Sequence, residues 1–184
     1  MSDPKSKPKR GRPQTLNAEK ALKVAMDAYW KSDPTDVSIN AICEMAGASK
    51  PAIYRQFGNE DGLMLAVLNH YVEQVIPTLF KPLTDDAPLQ DTLNAVIQFC
   101  SQDPTMETGC VFCKMRAGKH RLGPQTQQRV NEIYSAAIDA FSSYLDKCRH
   151  SGKWESEQPT DLMARYLVEQ ISLAFTQRAA GESS

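Results

Sequence analysis

No stretch of the chain stays apolar for the ~18 residues a membrane-spanning helix needs, so no membrane partner is expected. The first residues hold no apolar leader core, and no secretory signal is read there. Cysteine is sparse and odd in number, five at irregular spacing, unlike the even set of a disulfide framework. A reducing, cytoplasmic compartment is the expectation. Period-two alternation is missing, which excludes a half-buried sheet and leaves an all-α chain. No Ser/His/Asp arrangement, phosphate-binding glycine loop or metal-spaced carboxylate pair occurs. An enzyme is disfavoured, and no cofactor and no metal are expected.

What is present begins with an uneven charge. The formal net charge of −1 divides into +3 over residues 1–60 and −4 over the remainder. A basic head on an acidic body points to nucleic acid at one end only. Residues 1–15 concentrate the positive charge, with Lys5, Lys7, Lys9, Arg10 and Arg12 against Asp3 alone. Prolines and a glycine interrupt this stretch, so it reads as a disordered basic tail. Arg10-Gly11-Arg12-Pro13 resembles the core of an AT-hook, in which arginines enter a narrow minor groove. A solvated tail making loose phosphate contacts is the other reading.

The most informative stretch runs from Val37 to Leu63. Ser38 is placed to cap a helix whose Ile39, Ile42, Cys43 and Ala46 fall on one face. Gly47 supplies a left-handed terminator. Ser49 is placed as a second cap, with Pro51 in the first turn of the helix it opens. Two short helices joined through a glycine turn make a helix-turn-helix. Asn59, followed by Glu60 and Asp61, caps a further helix.

These residues resemble the tetracycline-repressor (TetR) family of bacterial transcription regulators. The matching positions are Ser38, Ile42, Cys43, Ala46, Gly47, Ala48, Ser49, Ile53, Tyr54, Phe57 and Leu63. Pro51 departs from the family's usual glycine, Gln56 from its histidine, and Glu60 from its phosphate-contacting lysine. The resemblance implies an N-terminal three-helix DNA-binding head and a C-terminal helical ligand-binding and dimerisation body. It also implies a homodimer joined by the two C-terminal helices, and a small molecule that releases DNA.

Along the rest of the chain, a first helix is expected from Leu16 or Asn17 to Trp30, with Trp30 and Tyr29 in the head's core. A long helix should run from Glu60 to about Phe80, past Pro77. Helices follow over Leu89–Cys100 and Val111–His120, with a short one after Asp103-Pro104. Two long ones come last: one restarted at Gly123-Pro124 and ended at Gly152, the other capped by Thr160. Cys110 and Cys113 form a CxxC. A second pair that would complete a zinc site is missing, and so is the βαβ context of a thioredoxin-like oxidoreductase. These two residues are read as core or cavity lining, with a thiol sensor as the alternative because Lys114 and Arg116 lie close by in sequence.

The expected organisation is a tail over residues 1–15, a helix-turn-helix domain over 16–58, and a ligand-binding and dimerisation domain over 59–184. The expected partner is double-stranded operator DNA. Ser38, Tyr54 and Gln56 should meet phosphates or the groove wall, and Ser49 should open the reading helix. Asn40, Lys50, Pro51, Ala52 and Arg55 should face base edges, since Asn suits adenine, Lys or Arg suits guanine, and an apolar group suits the thymine methyl. Phe99, Cys100, Met106, Cys110, Cys113, Tyr134, Ile138 and Phe141 should line an apolar effector cavity. The competing readings are a cysteine-based redox or electrophile-responsive repressor and a helical interaction module that binds no DNA.

Deleting residues 1–13 should weaken DNA binding and flatten its salt dependence, each lost phosphate contact lowering the slope by about one. A loss larger beside A·T-rich than G·C-rich flanks would favour the minor-groove reading, and an equal loss the loose-tail reading.

Overall fold

The computed structural model describes residues 18–84 and 87–182. The tail with Arg10 and Arg12, and the Leu16 or Asn17 start expected for the first helix, lie outside them. Among the described residues every regular element is helical. No helix there is long and apolar enough to cross a membrane.

Helix α1 (Ala18–Lys31) buries Ala21, Ala25, Met26 and Tyr29 along one stripe. Asp33 then turns the chain by accepting hydrogen bonds from the Thr35 amide and hydroxyl at 2.8 and 2.7 Å. Helix α2 (Ile39–Ala46) starts at Ser38, whose hydroxyl accepts the Ala41 amide at 3.2 Å. It stops at Gly47, where φ is +64° and the Ala48 amide reaches back to the Cys43 carbonyl at 2.9 Å. Helix α3 (Lys50–Phe57) follows within one turn. Ser49 takes the cap position there, but its carbonyl rather than its side chain meets the first helical amides.

Helix α4 (Glu60–Phe80) is capped by the Asn59 side chain, which accepts the Gly62 amide at 2.8 Å. It runs through Pro77 without ending. Pro77 sits on an exposed face, and the carbonyl it leaves unpaired belongs to exposed Glu73, within reach of water. Helix α5 (Leu89–Gln102) leads to a 3-10 turn over Pro104–Met106, opened by Asp103, which accepts the Thr105 amide. The helix expected over Val111–His120 is shorter: α6 covers Val111–Ala117, and Gly118 converts the chain into a 3-10 turn over Lys119–Arg121. Helix α7 (Pro124–His150) and helix α8 (Thr160–Ala179) pack on each other and close the body. Thr160 is the first residue of α8, and Pro159 holds the cap position.

One hydrophobic core runs from α1 to α8, with Tyr71, Phe141 and Phe175 as its largest fully buried side chains. One connection joins α4 to α7, and two more tie the helix-turn-helix domain to the later elements. Asp61 on α4 caps α7, accepting the Gln125 and Thr126 amides at 2.9 and 3.0 Å and the Thr126 hydroxyl at 2.6 Å. Arg121 pairs with Asp36 at 2.5 Å. The indole N–H of Trp30 donates to the Gly109 carbonyl at 2.9 Å, while Lys114 Nζ donates to the Trp30 carbonyl at 2.5 Å.

The Asp61 cap has a steric condition. A Cβ at Gly123 would lie 2.3 Å from the Asp61 carboxyl carbon, so only glycine lets the carboxylate reach the α7 amides. Asp61→Ala and Gly123→Ala should each cost about 1–2 kcal/mol, the worth of a lost helix cap. Because both remove the same cap, the double variant should cost little more than either alone. Urea unfolding of the four proteins measures this; full additivity would separate Gly123 from the cap.

Candidate nucleic-acid interface and effector cavity

Helix α3 presents a polar face beside its buried one. Ile53 is fully buried against the head core, and Tyr54 and Phe57 pack partly against it. Lys50, Pro51, Arg55 and Gln56 are exposed, as is Ser49 just ahead of them. Asn40 and Ser38, at the start of α2, are exposed as well. Lys50 places its ammonium 5.3 Å from the Tyr54 ring centroid, which orients both side chains on one surface. Arg55 forms no salt bridge among the described residues.

Ala52 is the correction on this surface. It is buried rather than exposed on the face that carries Lys50, Pro51 and Arg55. A helix of eight residues turns one side chain in three or four inward, and Ala52 shares the inner face with Ile53. Pro51 is the exposed apolar residue at the start of α3.

In the body, a cavity of about 360 Å³ lies between α4, α6, α7 and α8. Val72, Ile76, Leu79 and Phe80 form its α4 wall, and Ile133, Ala136, Ala137, Ala140 and Phe141 its α7 wall. Val168, Ile171, Ser172 and Phe175 close it from α8, and Cys110, Phe112 and Cys113 from the start of α6. Arg129 and Glu132 stand at one end, already paired with each other at 3.1 Å, and Arg129 also donates to Asn69.

Three of the eight residues expected to line a cavity do so: Cys110, Cys113 and Phe141. Phe99 meets Phe175 edge-on at 6.4 Å, outside the cavity wall. Cys100 and Met106 are buried behind Cys110, with Met106 Sδ 3.9 Å from the Tyr71 hydroxyl. Ile138 is buried outside the cavity wall. Tyr134 faces a separate polar cleft, where it donates to Glu169 at 2.7 Å beneath the Arg116 guanidinium. Arg116 grips the same carboxylate through two nitrogens, at 3.1 and 2.6 Å, and holds Glu169 below the usual carboxylate range.

No α4 residue was named for the cavity, because α4 is apolar nearly all round and periodicity finds one stripe rather than two. The signal was present in that breadth: Val72, Ile76 and Phe80 repeat every fourth position beside the buried stripe of Leu63, Val67, Tyr71 and Val75.

The two sulfurs at the cavity floor differ. Burial works to raise the Cys110 thiol, but hydrogen bonds from the Cys113 thiol, the Tyr71 hydroxyl and the Cys113 and Phe112 amides outweigh it and hold Cys110 below the ordinary thiol value. Cys113 is pushed well up, by its interaction with Cys110 and then by burial. Cys100, buried nearby, is pushed up to about 12. Among the described residues no group of three or more His, Cys, Asp or Glu is arranged to hold a metal ion.

Comparison with known proteins places this geometry. The family model described as bacterial regulatory proteins, tetR family, matches residues 21–67. The HTH-type transcriptional repressor BdcR of Escherichia coli is 28% identical over 154 residues, 84% of this chain and 77% of BdcR. The regulatory protein TetR from Rhodobacter sphaeroides superposes with a TM-score of 0.77 at 12% identity, covering 91% of each chain. A cysteine mutant of the TetR family transcriptional regulator CifR, solved with 26-bp double-strand operator DNA, superposes at 0.75 with 16% identity, over 94% of this chain and 92% of that one. The model of the tetR family thus matches the helix-turn-helix, a transcriptional repressor is similar along most of the chain, and the all-helical fold is shared with solved TetR regulators.

Proposed function

We propose that the protein is a dimeric repressor that binds a palindromic operator and leaves it when a small molecule enters the α4–α8 cavity. The observation that carries this reading is the joint between cavity and head. Cys110, on the cavity floor, accepts a hydrogen bond from Tyr71, whose ring meets Trp30 of α1 edge-on at 5.3 Å. An occupant that spreads α4 from α7 and α8 therefore acts directly on the helix that packs across α2 and α3. Such a ligand acts as an inducer through its unequal affinity for the two head positions.

In this reading residues 16–58 are the DNA-binding head, 59–184 the ligand-binding and dimerisation body, and 1–15 a tail that adds phosphate contacts. Ser38, Ser49, Tyr54 and Gln56 meet the backbone or groove wall. Asn40, Lys50, Pro51 and Arg55 reach into the major groove. CifR was solved with operator DNA, which supports double-stranded DNA as the partner here. Dimerisation through α7 and α8 is supported by Leu162, Tyr166 and Leu173, whose large side chains stand about half exposed at 51, 56 and 47% on α8. Their spacing of four and seven places them on one stripe. A two-fold axis through that stripe gives two heads and hence two half-sites.

Selection of bound DNA from a random pool tests the whole reading, since an inverted repeat requires both DNA binding and a two-fold dimer. On the selected DNA, Arg55→Ala should lose about 1–3 kcal/mol of binding and relax the preference at one base pair of each half-site. Size-exclusion chromatography should show the same dimer as the wild type. Unchanged affinity in a gel shift would take α3 out of the groove.

A further inference from the structure

The cavity has little with which to hold a polar ligand. Ser172 donates to the Val168 carbonyl at 2.9 Å, and Arg129 and Glu132 are satisfied by each other, Asn69 and Gln128. The remaining wall is aliphatic and aromatic apart from two thiols. A small apolar molecule in such a space gains modest affinity, because no buried polar group fixes its orientation. The groups that set its chemistry apart are Cys110 and Cys113.

Of the two, Cys110 is the better nucleophile by its surroundings. The Tyr71 hydroxyl donates to its sulfur at 3.0 Å, and Tyr71 is fully buried. The Phe112 and Cys113 amides and the Cys113 side chain lie close to the same sulfur and favour its charged form. All of these stabilise a thiolate, the form that attacks carbon. The neighbouring residue completes the connection to the head, because the Gly109 carbonyl accepts the Trp30 indole N–H.

We infer that the effector is a small apolar electrophile of the α,β-unsaturated carbonyl class, and that it is captured covalently by Cys110 on the cavity floor. This rests on the cavity being the effector site. The Cys110 sulfur attacks the β-carbon and forms a C–S bond. The π pair of the C=C bond moves to the carbonyl oxygen as an enolate. The proton lost from the thiol is made good at the α-carbon from solvent. No group leaves, and nothing is oxidised or reduced. The adduct displaces the Tyr71 hydroxyl from the sulfur, and with it the Tyr71–Trp30 contact that positions α1. Cys113, partly buried, donates its thiol to the Ser172 hydroxyl at 3.8 Å and lies beside Cys110.

The full-length protein bound to its selected DNA is treated with cyclohex-2-en-1-one or, separately, with saturated cyclohexanone, which has the same ring and carbonyl without the reactive double bond. The enone should add to Cys110, located by peptide mass mapping, and lower DNA affinity by about tenfold or more, within the usual range of allosteric coupling. Cyclohexanone should release nothing at the same concentration. Cys110→Ser should abolish the enone's effect relative to its own untreated affinity. If that variant melts early, Ala137→Phe gives an independent reading: it fills the cavity without touching sulfur, and should slow labelling of Cys110 while leaving that of Cys43 on α2 unchanged. Labelling of Cys110 should also level off at lower pH than that of Cys43, whose pKa burial raises. Equal release by both ketones would keep the cavity as effector site and overturn the covalent step. Release by neither, or a Cys110 adduct that stays on DNA, would overturn the inference as well. Labelling of Cys110 unchanged by Ala137→Phe would show that the enone does not arrive through the cavity.

Discussion

The indole of Trp30 is the contact on which the two halves of this molecule depend. Its ring meets Tyr71 of α4, its N–H is held by the Gly109 carbonyl, and its own carbonyl is held by Lys114 of α6. Three elements thus fix the C-terminal end of α1. Since α1 packs across α2 and α3, the placement of α3 follows from that end. Arg121 against Asp36, and Asp61 against the start of α7, add two further attachments. Arg121 and Asp36 are largely exposed, and an exposed ion pair contributes little. The Trp30 joint is partly buried and combines an edge-on ring contact with two hydrogen bonds, so it carries more of the registration between head and body.

Much of the head was legible from the residues alone because its signals are local. Ser38, Gly47 and Asn59 act through their own side chain or their own φ, and each does what its type suggests. Ser49 shows the margin of that logic: it occupies the cap position but leaves the capping to its carbonyl. Ala52 shows a different limit. Sequence placed it on α3, but which side of a short helix faces inward is decided by the partner helix, and alanine suits either side. Tyr134 was misplaced for the related reason that its partners, Glu169 and Arg116, lie on other helices.

The cavity was the least legible part, and the cause is physical. A cavity wall and a filled core use the same residue types at the same periodicity. What separates them is whether facing side chains meet, and that is set by the spacing of helices far apart in sequence. Ala136, Ala137 and Ala140 on α7 are small opposite Val72 and Ile76 on α4, so space remains between the two helices. Small residues in a helix read simply as good helix formers.

The short helix α6 is where these features converge. Seven residues are too few for a helix to persist by itself, so α6 is held by its neighbours. It touches the cavity through Cys110, Phe112 and Cys113, the head through Lys114, and α8 through the Arg116–Glu169 pair. An element held only by tertiary contacts shifts at lower cost than one held by its own hydrogen-bond ladder. The long helices α4, α7 and α8 resist bending over their 21, 27 and 20 residues. A change in the cavity is therefore taken up at α6 first. Because Glu169 lies on the same α8 face as Tyr166 and Leu173, a shift of α6 also reaches the surface through which a second copy would be aligned. In the proposed repressor, one small helix would thus stand between the occupant of the cavity, the angle of the head and the alignment of two heads on one operator.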